Sequence, residues 1–77
     1  MYAVETDFNE LFVIRDDEKN LVGFADIRPI PDTEFVYIDM YTKDVKFVTG
    51  QIYNRNDEIF QEKNFYIAKE YKKHMRI

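Results

Sequence analysis

Apolar residues come in short runs along the first two thirds of the chain, and their period changes in the last third. Leu11-Phe12-Val13-Ile14 and Leu21-Val22-Gly23-Phe24-Ala25-Asp26-Ile27 flank the polar stretch Arg15-Asp16-Asp17-Glu18-Lys19-Asn20. Two β-rich runs around a loop bearing Asp and Asn predict a hairpin near 11–27. Arg28-Pro29-Ile30-Pro31 ends it, because proline has no N–H to give to the ladder. After a turn at Asp32-Thr33-Glu34, Phe35 to Tyr41 is almost uniformly apolar. That run predicts a central strand over 35–41, covered on both faces. Val45 to Tyr53 predicts a second, tighter hairpin near 45–53, with Gly50 supplying the positive φ of the turn. One continuous strand with a bulge at Gly50 is the competing arrangement.

Beyond Asn54-Arg55-Asn56, Ile59, Phe60, Ile67, Tyr71 and Met75 gather on one side at about 100° per residue, while Gln61, Glu62, Lys69, Lys72 and Lys73 take the other. This predicts an amphipathic helix near 57–75. Asn56 would cap it, Asp57 and Glu58 would sit in its positive first turn, and the lysines would sit at its negative end. Phe65 falls off the apolar side, so a strand through Phe65-Tyr66-Ile67 stays open as the alternative for 59–70. Asp7-Phe8-Asn9-Glu10 has the spacing of a capping box and leads either into one helical turn or directly into the first strand. The expected fold is α+β, an antiparallel sheet of four or five strands with one C-terminal helix, in a single domain over 1–77 without a linker.

Composition changes this picture in one respect. A 77-residue chain buries a small core, and without cysteine it has no disulfide to reinforce it. Seven Phe and six Tyr supply the bulk instead. They exceed what so small a core need enclose, which points to a tyrosine-bearing partner surface. Tyr37, Tyr41, Tyr53, Tyr66 and Tyr71 are the candidates, with another protein or a second copy of the chain as occupant. The lack of cysteine suits a reducing compartment. With no membrane-length apolar run and no basic, apolar leader at Met1-Tyr2-Ala3-Val4-Glu5, a cytoplasmic protein is expected. Phe, Tyr, Met, Ile, Asn and Lys make up 36 of the 77 residues. These are the amino acids of A/T-rich codons, the usage of many low-GC bacteria and their phages.

The inventory excludes much chemistry. There is no serine or cysteine, and one histidine, His74. The threonines (6, 33, 42 and 49) are not N-terminal, so a nucleophilic triad cannot be assembled. Zinc sites of Cys and His are equally out of reach. His74 lies among Lys72, Lys73 and Arg76, as a solvated residue of a last helical turn would. The loop Asp16 to Asn20 offers oxygens at alternate positions but fails as a calcium loop, because Leu21 stands where glycine is needed and Ile27 where glutamate is needed. Gly23 and Gly50 stand alone, which excludes phosphate-cradling loops. Asp26 and Asp39 lie inside apolar runs. On neighbouring strands they could face one another as an acid–base pair, although solvent-facing charges that discourage aggregation are the ordinary explanation.

Charge is uneven. Residues 1–62 carry a net −8 and residues 63–77 a net +4, within an overall −4. Acidic solubility and lysines at a helix end account for the asymmetry. Five positive charges are a weak footprint for nucleic acid, so direct binding to it is not expected. An acidic surface around Asp16, Asp17 and Glu18 could instead imitate a nucleic-acid backbone and occupy a basic groove. The expectation is therefore a small acidic non-catalytic protein–protein interaction module without cofactor or metal, such as a phage or mobile-element inhibitor or host-modifying factor. A structural or assembly component, for example of a phage particle, is the alternative, and a divalent-metal carboxylate enzyme a distant one.

Overall fold

The computed structural model describes residues 1–75, the side chain of Ile59 excepted. Five strands form one antiparallel sheet in sequence order: β1 (Tyr2–Glu5), β2 (Leu11–Arg15), β3 (Leu21–Pro29), β4 (Phe35–Thr42) and β5 (Phe47–Asn54). A 3-10 turn over Glu58–Glu62 leads into one helix, α1 (Lys63–Met75), which packs back against β1 and, less closely, β5. The α+β expectation stands. Residues 63–75 are helix and not strand.

Side chains alternate between the two faces of the sheet. One face holds Ala3, Phe12, Ile14, Ala25, Ile27, Val36, Ile38 and Met40, all buried, against Ile67, Ala68 and Tyr71 of α1. The larger of these side chains, Phe, Ile, Val and Met, each contribute about 1.5–3 kcal/mol when fully enclosed. The glycine on this face has a steric reason. Ala3, Ile14 and Gly23 form one cross-strand row, and a β-carbon on Gly23 would overlap both the Tyr71 hydroxyl and the backbone carbonyl of Tyr41. Glycine is thus required at 23 by close approach, which lets Tyr71 reach the sheet and donate to the Val22 carbonyl at 3.1 Å.

The predicted hairpin over 11–27 is present as β2–β3, and its ladder with β4 ends where expected, at Pro29 opposite Val36. Other expectations need correction. Residues 45–53 are not a hairpin. Gly50 lies inside the continuous strand β5, and no glycine has positive φ. The turn falls earlier, at 43–46, where Val45 takes φ 62° and Thr42 Oγ1 accepts the Lys46 N–H. The irregularity of β5 is at Val48, because Met40 pairs with Thr49 while Tyr41 pairs with Phe47. The strand at 35–41 is interior, between β3 and β5, yet only one of its faces is covered: Phe35 and Tyr37 are exposed. β1 was not foreseen as a strand, and residues 7–10 form its turn into β2, with Asn9 and Glu10 at positive φ, and no helical turn.

The helix also begins later than the pattern implies. Asn56 does not cap it. Asn54 Oδ1 accepts the Asn56 N–H, the Asp57 N–H bonds the Asn54 carbonyl, and only the 3-10 turn follows. Lys72, Lys73 and His74 do occupy the last turn, where cations favour the helix dipole. Lys63 at the helix start pairs with Glu10 at 2.8 Å, fastening α1 to the β1–β2 turn. The side chain of Ile59, expected on the apolar side, and Arg76, expected beside His74, lie outside the described residues.

Candidate functional site: the uncovered sheet face

Among the described residues a single helix lies on one side of the sheet, and nothing covers the other face. Its residues follow from the register. Val4 pairs with Val13, Val13 with Phe24, Phe24 with Tyr41, and Tyr41 with Phe47, so one apolar row crosses all five strands. Its outer members Val4 and Phe47 are exposed and the inner three half-buried. The Tyr41 and Phe47 rings meet edge-on at 6.0 Å between centroids. Two rows away Arg28, Tyr37 and Ile52 form a second line, and Phe35 a third with Asn54. Tyr37 and Tyr41, expected at a partner surface, are both on this face.

Between the apolar rows runs a polar one: Leu11, Asp26, Asp39 and Gly50. The structure therefore does bring the two strand carboxylates directly opposite each other. Arg28 resolves half of the conflict. Its Nη2 donates to Asp39 Oδ2 at 2.5 Å, and its guanidinium lies over the Tyr37 ring, 5.5 Å from the centroid. Asp26 Oδ1, by contrast, is buried with no hydrogen-bond partner among the described residues. Burial first, and then the charge of Asp39, push the Asp26 carboxyl up from its ordinary value, with Arg28 opposing. Burial and the same two carboxylates also push the Tyr41 hydroxyl up. Gly50 completes this row, and a β-carbon there would come within 2.8 Å of Asp39 Oδ1 and 3.2 Å of the Phe47 ring, so both side-chain ends would have to move aside.

The remaining candidates lie elsewhere. Tyr71 is fully enclosed in the core, where burial pushes its hydroxyl up, and it presents nothing to a partner. Tyr53 and Tyr66 are on the helix side. Their rings meet edge-on at 5.0 Å, and both hydroxyls donate to Gln51 Oε1 at 2.9 Å. The Gln51 amide nitrogen in turn lies 2.8 Å from His74 Nε2 and 3.4 Å from Glu70 Oε2. His74 is exposed in the last turn, as expected, and is also joined to β5 and, at 3.3 Å, to Glu70. Nothing in the sequence marked Gln51 as the centre of this network.

In the acidic loop the three carboxylates differ. Asp16 is structural: Oδ1 accepts the backbone N–H of both Glu18 and Asn20 at 2.9 Å, and Oδ2 accepts from the Asn20 side chain. Those bonds, the Asn20 N–H above all, lower its pKa. Asp17 accepts from the Met1 amino group at 2.5 Å, which lowers its pKa too. Asp17 stays almost fully exposed despite that bond, and Glu18 is exposed beside it.

No three His, Asp or Glu side chains gather as metal ligands among the described residues, and no helix among them is long and apolar enough to cross a membrane. Two shallow depressions lie along the helix, one of about 290 Å³ lined by Glu62, Phe65, Tyr66, Lys69 and Glu70 and one of about 340 Å³ lined by Met1, Phe65, Ala68, Lys69 and Lys72, and neither gathers more than a few charged side chains of mixed sign or of lysine alone. Comparison with protein families, curated proteins and solved structures finds no match for the chain.

Proposed function

We propose that this protein is a non-catalytic interaction module whose uncovered sheet face receives a protein partner. The observation that carries the reading is the apolar row Val4–Val13–Phe24–Tyr41–Phe47, which crosses the sheet on the side without a helix. A contiguous apolar patch on a small chain marks a place where another surface belongs. Its chemistry describes the partner. The partner presents an apolar surface to the row. Tyrosine and Arg28 at the margin are residue types that interfaces favour. The reading places contact on the sheet face and not on the acidic loop, whose Asp16 is already committed to its own backbone.

The test uses Val4→Lys and Val13→Lys beside Lys69→Glu and Lys73→Glu on the exposed side of α1, each checked by thermal melting. The immobilised wild-type chain is expected to retain a partner from a lysate of its source cells, the face variants to lose it and the helix variants to keep it. Loss with the helix variants and retention with the face variants would sink the reading.

A further inference from the structure

β5 closes one side of the sheet, and among the described residues no strand pairs with its outer edge. Soluble proteins guard such edges with charge, proline, shortness or a bulge, because a row of open N–H and C=O groups is a template for another strand. β5 has one guard, the irregularity at Val48. Beyond it, Thr49 to Asn54 run in uninterrupted register with Met40 back to Phe35. No Asp, Glu, Lys, Arg or Pro occurs from Phe47 to Asn54, in a chain that is 34 % charged. The opposite edge is different. β1 has four residues, ends in Glu5, and is packed by α1.

We propose that β5 is a strand-addition edge and that its occupant is β5 of a second copy, joined antiparallel about a two-fold axis normal to the sheet. The inference goes beyond the binding reading above, since pairing at the edge leaves the sheet face open. Three observations select a second copy. The chain carries a net −4, so copies repel through most of their surface, and β5 is the flank from which charge is missing. Phe47 and Ile52, at 63 % and 58 % exposure, lie on this strand, with Val45 at its foot at 69 %. A two-fold axis brings the two sets side by side, apolar against apolar. Finally, the two edges differ in length and charge, so β5 meets its equal only in another β5. That gives an isologous contact that closes at two copies and does not run on into a filament. The product is a continuous ten-stranded sheet with both helices on one side and the apolar rows of both copies on the other.

Sedimentation equilibrium from about 10 μM to about 1 mM, with amide exchange by NMR at both limits, tests this by mass action. The expected result is a doubling of mass, together with slowing of the outward-pointing amides between Thr49 and Asn54 by roughly tenfold or more at high concentration. Ile52→Lys is expected to remain a monomer throughout, and Val4→Lys, on the same face but at the far edge, to dimerise like the wild type. A wild-type monomer at the highest concentration overturns the proposal. So does a dimer whose β5 amides exchange at an unchanged rate, or one that Val4→Lys dissolves. If Ile52→Lys does not fold, the wild-type exchange comparison decides alone. None of these results bears on partner capture by the sheet face, which Val13→Lys reports separately.

Discussion

Asp26 on β3 and Asp39 on β4 stand directly opposite one another, and the guanidinium of Arg28 is hydrogen-bonded to Asp39. Asp26 keeps the cost of the arrangement: a buried oxygen without a donor, and a like charge across the ladder. Its folded-state pKa is raised above the ordinary 3.8, so the folded chain holds this proton more tightly than the unfolded one. The stability this contributes is present below the unfolded value and is lost as pH rises through the folded value. Asp26→Asn removes the charge and turns a repelling carboxylate into an amide that can donate to Asp39. At neutral pH the variant is expected to be more stable by about 1 kcal/mol, the low end for an unpaired buried group because Asp26 is partly exposed. Melts in a series down to about pH 3 check the sign, since the advantage must vanish where both states are protonated.

The Tyr71–Gly23 contact gives a steric prediction. Gly23→Ala is expected to cost about 1–3 kcal/mol, because the added methyl meets a ring hydroxyl and a backbone carbonyl together. Tyr71→Phe alone costs about 1 kcal/mol, the loss of a hydrogen bond to Val22. In the double variant the hydroxyl clash is gone while the Tyr41 carbonyl stays, so only part of the Gly23→Ala loss is recovered. Denaturant unfolding of the four chains reads this coupling.

In the acidic loop the prediction is a ranking. Asp16→Ala lowers the melting temperature more than Asp17→Asn or Glu18→Gln, because only Asp16 accepts several bonds from its own loop. Its folded pKa lies below 3.8. The stability it contributes is therefore present above that value and disappears as pH falls through the folded one. The gap between wild type and Asp16→Ala must close in strong acid.

Gln51 anchors two tyrosine hydroxyls with one carbonyl oxygen. Gln51→Leu keeps the size and leaves both hydroxyls without that acceptor, at an expected cost of about 1–2 kcal/mol by chemical denaturation. Gln51→Glu retains the acceptor and is expected to fall between wild type and Gln51→Leu.

Much of the sheet was legible because its strands alternate between chain-neutral runs and turns that announce themselves. The polar loop at 16–20 and the prolines at 29 and 31 bracket β3 without ambiguity. Gly50 misleads because glycine serves two needs. Here the need is room for Asp39 and the Phe47 ring, while the actual turn uses Val45, a β-branched residue that local preference would place last at positive φ. β1 was too short to show a period, and its strand state depends on pairing with β2 and on cover from α1, both long-range facts. The uniform run Phe35–Tyr41 reads as a strand covered twice. One helix was expected, but the run itself does not say which side of the sheet that helix packs on, so the uncovered face that forms the candidate site was visible as surplus tyrosine but not as a place. Of the five tyrosines the composition suggested, Tyr37 and Tyr41 lie on that face, and Tyr71 is at the centre of the core.

The order of strands has a consequence for the rate at which the chain assembles. Every strand pairs with its sequence neighbour, so the sheet can grow by closing one short loop after another, the cheapest route in chain entropy. Only α1 must return across the whole length of the sheet to reach β1, and its docking through Ala68, Tyr71 and the Lys63–Glu10 pair joins the first turn of the chain to its last element. Substitutions in that seam are expected to accelerate unfolding while leaving the folding rate nearly unchanged, whereas substitutions in the β2–β3 hairpin slow folding itself.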